Sequence, residues 1–116
     1  MNIREAAAAT AVTKAASYLE GCGFRVLDRD WRSDSGTLAV IAVDRHTFVA
    51  VKVLTRAGRR CGIPAGALSR AEQRRLRRLA AQWLTEHAYR FDQIRIDVIR
   101  LSGEGGGTIE HIRGAA

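Results

Sequence analysis

Residues 36–53, GTLAVIAVDRHTFVAVKV, constrain the fold more than any other part of the chain. Leu38–Val43 is apolar at every position, the pattern of a central strand covered on both faces. Asp44–Arg45–His46 is a short polar connection, and Thr47–Val53 reads as the next strand. On that strand Val49, Val51 and Val53 share one face, while Phe48, Ala50 and Lys52 share the other. A strand buried on both sides needs a layer above and a layer below it.

Two helical patterns can supply those layers. Residues 4–21 place Ala8, Val12, Ala15, Ala16 and Leu19 on one face, with Gly21–Gly23 as the stop. Ser69-Arg-Ala-Glu72 reads as a capping box opening a helix to about residue 87, with Leu76, Leu79, Ala80, Trp83 and Leu84 as its core stripe. Between the helices, residues 24–31 (FRVLDRDW) alternate like an edge strand with a slip at Val26–Leu27, and Ser33–Gly36 is a turn. Phe91–Leu101, a glycine turn at Gly103–Gly107 and Thr108–Arg113 form a last hairpin. The order is α-β-β-β-α-β-β: an α/β fold with a mixed sheet of about five strands flanked by helices. At 116 residues the expectation is one domain spanning 1–116.

Charge narrows the function. Nineteen basic residues against 12 acidic leave +7, and only Lys14 and Lys52 are lysines. Arginine forks suit phosphate oxygens, so a nucleic-acid partner is favoured. Arg70, Arg74, Arg77 and Arg78 fall on the side of the second helix opposite its core stripe, and Arg56, Arg59 and Arg60 start the loop that leads into it. Contacts of this kind fix position on the phosphate backbone without reading sequence. Cys22 and Cys61 lie far apart with no CxxC, so neither a disulfide nor zinc is expected, and a cytoplasmic location suits the chain. No apolar run approaches the ~20 residues of a membrane span, so no membrane partner is expected. Trp31 and Trp83 fall within apolar patterns of the core or its edge, and His46, His87 and His111 show no triad or metal-ligand spacing.

Several strings, in order, resemble the YraN-like family of small bacterial proteins, which has a restriction-endonuclease and Holliday-junction-resolvase type of fold. They are Ala15-Ala16-x-Tyr18-Leu19, G-F-x-V-L at Gly23–Leu27, and R-D-W at Arg29–Trp31 where the family has R-N-W. G-T-L-A-V-I-A at 36–42 stands against G-E-I-D-L-I-A, and F-V-A-V-K at 48–52 against F-V-E-V-K. A T-R-x-G echo at Thr55–Gly58 follows, two residues further from the lysine than in the family. G-x-P at Gly62–Pro64, the arginine-rich helix and R-x-D-V-I at Arg95–Ile99 complete the set. The resemblance covers roughly residues 8–101.

The departures that matter most fall on chemistry. The family's acidic positions map onto Thr37, Ala39 and Ala50, and a glutamate of the first helix maps onto Val12; only Lys52 stands where the pattern asks for it. Metal-assisted phosphodiester hydrolysis needs anionic oxygens around Mg²⁺, and alanine offers none. The resemblance therefore implies a nucleic-acid-binding pseudo-nuclease with no metal and no cofactor, acting on branched or otherwise structured DNA, as a homodimer or a mixed dimer. Lys52 would meet phosphate, or else pair with Asp30, Asp44 or Asp97. One alternative is a weak Mg²⁺- or Mn²⁺-dependent endonuclease rebuilt from at least two of Asp28, Asp30, Asp34 and Asp97 beside Lys52. Another is a protein–protein module that pairs with an acidic partner or an active paralogue.

Overall fold

The structure, a computed structural model, describes residues 3–55, 68–103, 105 and 107–114. Helix α1 (Ile3–Gly21) leads into an antiparallel run of β1 (Arg25–Ser33), β2 (Gly36–Asp44) and β3 (Thr47–Thr55). Helix α2 (Arg70–Glu86) then crosses over to β4 (Gln93–Ser102), and β5 (Thr108–Ile112) ends the order. The strands lie side by side as β1-β2-β3-β4-β5. All neighbours are antiparallel except β3 and β4, which run parallel from Thr47↔Gln93 to Thr55↔Leu101. A parallel neighbour requires a crossover, and α2 supplies it. This is the expected mixed α/β sheet, open at both edges, with a helix on each face. It is compatible with the restriction-endonuclease type.

The alternation on β3 sorts the core into two layers. Val49 and Val51 pack with Ala11, Ala15, Ala16 and Leu19 of α1, while Phe48 and Ala50 pack with Leu76, Leu79, Ala80 and Trp83 of α2. The expected stripe of α2 is the buried one. On α1 only the second half lies over the sheet: Ala11, Ala15, Ala16 and Leu19 are buried, Val12 is half-buried, and Ala8 is exposed. Helical spacing gives the face but not where the sheet beneath it ends.

The slip in the first strand is a bulge. Val26 opposes Ala42 and Asp28 opposes Ile41, leaving Leu27 as the extra residue. The shift turns Asp28 toward α2, where its Oδ2 accepts from Trp83 Nε1 at 2.9 Å and satisfies the buried indole N–H. Ser69 caps α2 as expected, its hydroxyl accepting from the Glu72 backbone N–H at 3.0 Å. The reciprocal half of the capping box is not made, because the Glu72 carboxylate is drawn to two cations instead.

Candidate functional site

Strands β2 and β3 separate at one end. Their pairing runs from Asp44↔Thr47 to Val40↔Val51 and stops there. Beyond it β2 keeps β1 as its neighbour (Trp31↔Leu38 to Ser33↔Gly36), and β3 keeps β4 (Lys52↔Val98 to Thr55↔Leu101). A distortion accompanies the split: Val40 packs on the α1 side, whereas Leu38, two residues earlier, packs under α2. Regular alternation would put both on one face. Across the pair Asp30 holds a positive φ of 46°.

The fork leaves a cleft of about 330 Å³ lined by Thr37 and Ala39 on one prong, Lys52 and Val53 on the other, and Arg75 and Leu76 from α2. Gly36 also lines it. A Cβ there would collide with the Arg75 guanidinium, so the absence of a side chain lets that arginine lie across the strand. Thr37, Ala39 and Lys52 thus gather as the motif reading expected. Ala50 does not join them: it is 1% exposed and sits beneath α2.

Glu72 completes the cluster, and the motif reading assigned it only to the helix cap. Its Oε2 accepts from Lys52 Nζ at 3.2 Å, and its Oε1 accepts from Arg75 Nε at 2.9 Å and lies 2.7 Å from an Arg75 terminal nitrogen. Burial pushes the Glu72 carboxyl up, but the hydrogen bonds from Lys52 and Arg75 outweigh it and hold the group below its ordinary value. Lys52 therefore pairs with Glu72 and not with Asp30, Asp44 or Asp97. Two cations share one carboxylate, so the cleft keeps an excess of positive charge. The signal in the sequence was the i,i+3 spacing of Glu72 and Arg75 at the start of a helix.

The aspartates proposed to rebuild a metal site lie elsewhere. Asp28 is tied to Trp83, Asp30 pairs with Arg32 at 3.4 Å, and Asp34 sits in the turn between β1 and β2. Asp97 is fully buried in another network: Arg95 donates from Nε at 2.7 Å and from a terminal nitrogen at 3.0 Å, and the Gly114 N–H donates at 3.0 Å. His111 Nε2 lies 2.8 Å from the same carboxylate, a partner its spacing did not reveal. Burial pushes Asp97 up, yet Arg95, Gly114 and His111 together hold it below its usual value. Among the described residues no group of three His, Cys, Asp or Glu side chains can share a metal ion. Thr37, Ala39 and Ala50 offer no carboxylate, and Glu72 is already held by two cations, so the donor set does not fit Mg²⁺.

The arginine face divides in two. Arg70, Arg74, Arg77 and Arg78 are all exposed on α2, and no carboxylate among the described residues forms an ion pair with any of them. Arg77 makes one long bond to the Ile94 carbonyl at 3.4 Å. Arg56, Arg59 and Arg60 lie outside the described residues. No helix is long and apolar enough to cross a membrane among the described residues.

Comparison with known proteins gives the chain its relatives. Residues 13–101 match the family described as "Uncharacterised protein family UPF0102". A UPF0102 protein of Beutenbergia cavernae is 39% identical over 98% of both chains. Relatives from Frankia casuarinae and Mycolicibacterium vanbaalenii are each 41% identical, the first over 87% of both chains and the second over 88% of this chain and 86% of its own. The chain belongs to the uncharacterised protein family UPF0102, the YraN-like family whose motifs it carries in order.

Proposed function

We propose that this protein binds nucleic acid, DNA in the first place, on an endonuclease-like scaffold, and does not cleave it. The observation that carries the reading is the outer face of α2. Four exposed arginines, with no carboxylate partner among the described residues, sit on the same helix that sends Arg75 into the fork beside Lys52. Self-repulsion makes such a row costly unless a polyanion neutralises it. The inactive half of the reading rests on the donor set: three side chains without carboxylates occupy the acidic positions, and metal-assisted hydrolysis requires those oxygens. The resemblance to a junction-resolving fold points to branched or otherwise structured DNA as the target.

The test is charge reversal on α2. Arg74→Glu with Arg78→Glu is expected to weaken duplex binding at least tenfold and to flatten the dependence of log K on log salt by about 0.9 per lost phosphate contact. A doubly reversed protein that binds DNA with unchanged affinity and salt slope would remove the helix from the interface.

A further inference from the structure

A second cluster of cationic side chains lies at the other end of the sheet, roughly 20 Å from the fork along β2. There a cleft of about 350 Å³ opens between the start of β1, the β2–β3 turn and the α2–β4 connection. Arg25, Arg45, His46 and Arg90 line it, with Asp92 the one carboxylate among the lining residues. No carboxylate among the described residues forms an ion pair with Arg25, Arg45 or Arg90. The volume is at the small end of the ~300–1,000 Å³ typical of ligand cavities.

An aromatic ring packs against one of the residues that line this cleft, Phe91. Ala88 takes a positive φ of 56° after the helix, and Tyr89 N–H bonds back to the Leu84 carbonyl at 3.1 Å. That reversal lays the Tyr89 ring on Trp83, 5.5 Å between centroids and 18° from parallel. Phe91, which lines the cleft, lies 6.2 Å from Tyr89 on the same stack. Packed against both Trp83 and Phe91, Tyr89 is still 44% exposed.

The geometry points to a binding site for single-stranded nucleic acid, with an unpaired base stacked on Tyr89 and the flanking phosphates held by Arg25, Arg45 and Arg90. Duplex DNA presents base edges in its grooves, not base faces, so it cannot use the ring. A strand with free bases can, and stacking of this kind tolerates any sequence because every base has a π-face. The ring is already fixed from below, so little ordering remains to be done on binding. This surface is separate from the outer face of α2 and extends the proposed function without resting on it.

Anisotropy titrations of labelled oligo-dT and of a blunt duplex at near-physiological salt test the site. Tyr89→Leu is expected to weaken oligo-dT binding about tenfold, within the range of one lost base–aromatic stack, and to leave the duplex unchanged. Tyr89→Phe keeps the ring and retains binding, which separates stacking from damage to the fold; circular dichroism and melting check all variants. Arg25→Gln with Arg90→Gln is expected to lower the oligo-dT salt slope by about 0.7 per arginine. Tyr89→Leu binding oligo-dT like the unaltered protein would overturn the site, as would no binding of oligo-dT at all. The α2 charge-reversed protein should still bind oligo-dT. Loss of duplex binding alone in that variant marks two surfaces, and parallel loss of both ligands would show that Tyr89 has no site of its own.

Discussion

Lys52 and Arg75 lean on the same carboxylate, so Glu72 competes with any phosphate that enters the fork. These side chains are only about a quarter to a third exposed, so screening there is weaker than at an open surface. Glu72→Gln is expected to tighten DNA binding several-fold while costing about 0.5–1 kcal/mol of stability. Lys52→Ala should weaken binding more than Lys14→Ala, which removes the same charge from α1. Equal losses from the two lysines in one titration series would place the fork outside the interface. Asp97 answers to stability and not to binding. Removing it leaves Arg95 and His111 without their buried partner, and Asp97→Ala is expected to cost about 3 kcal/mol in denaturant unfolding. Its folded value lies below its unfolded one, so its stabilisation is complete above about pH 5 and is lost as pH falls through the depressed folded value. A variant whose acid-unfolding midpoint matches that of the unaltered protein would contradict this assignment.

At the scale of elements, the proposed function leans most on α2: its buried stripe closes the core, its N-terminal turn furnishes Glu72 and Arg75, and its outer face bears four exposed arginines. Its stripe was legible because five apolar residues repeat at helical spacing. The redirection of Glu72 was not, because it depends on Lys52 lying across the fork, and no local pattern records where two strands part. The same holds for Ala50, which shares a strand face with Lys52 yet lies under α2 while Lys52 reaches the cleft. Gly36 stands at the tip of the β1–β2 prong, with φ at +145° and Arg75 across it. Gly36→Ala is expected to cost about 1–3 kcal/mol from backbone strain and to displace Arg75. Thermal unfolding would check the first effect and loss of the Glu72–Arg75 coupling in a double-mutant cycle the second. An unchanged melting temperature would mean the strand does not need glycine there.

Across the whole molecule, the element order, the two-layer core and the edge position of β1 could be read from hydrophobic periodicity, because each strand face and helix stripe must be buried somewhere. The network around Asp97 could not, since it joins Arg95 on β4 to His111 on β5 and to the Gly114 backbone. Charge is also distributed in a way that only the assembled chain reveals. Paired arginines such as Arg95 and Arg100 brace the β4–β5 side, where Arg95 meets Asp44 and Asp97 and Arg100 meets Glu110, while arginines with no carboxylate partner among the described residues collect on α2 and around the cleft at the far end of β2. Such segregation is what a polyanion-binding surface requires, and it needs no metal. The most direct measurement is therefore a titration of four-way-junction, linear-duplex and single-stranded DNA in EDTA at near-physiological salt, with each strand run on a denaturing gel after incubation in Mg²⁺. Tight, salt-sensitive binding that favours the junction, with every strand left intact, is the predicted result. Failure to bind any of the three, or cleavage that depends on Mg²⁺, would contradict the account.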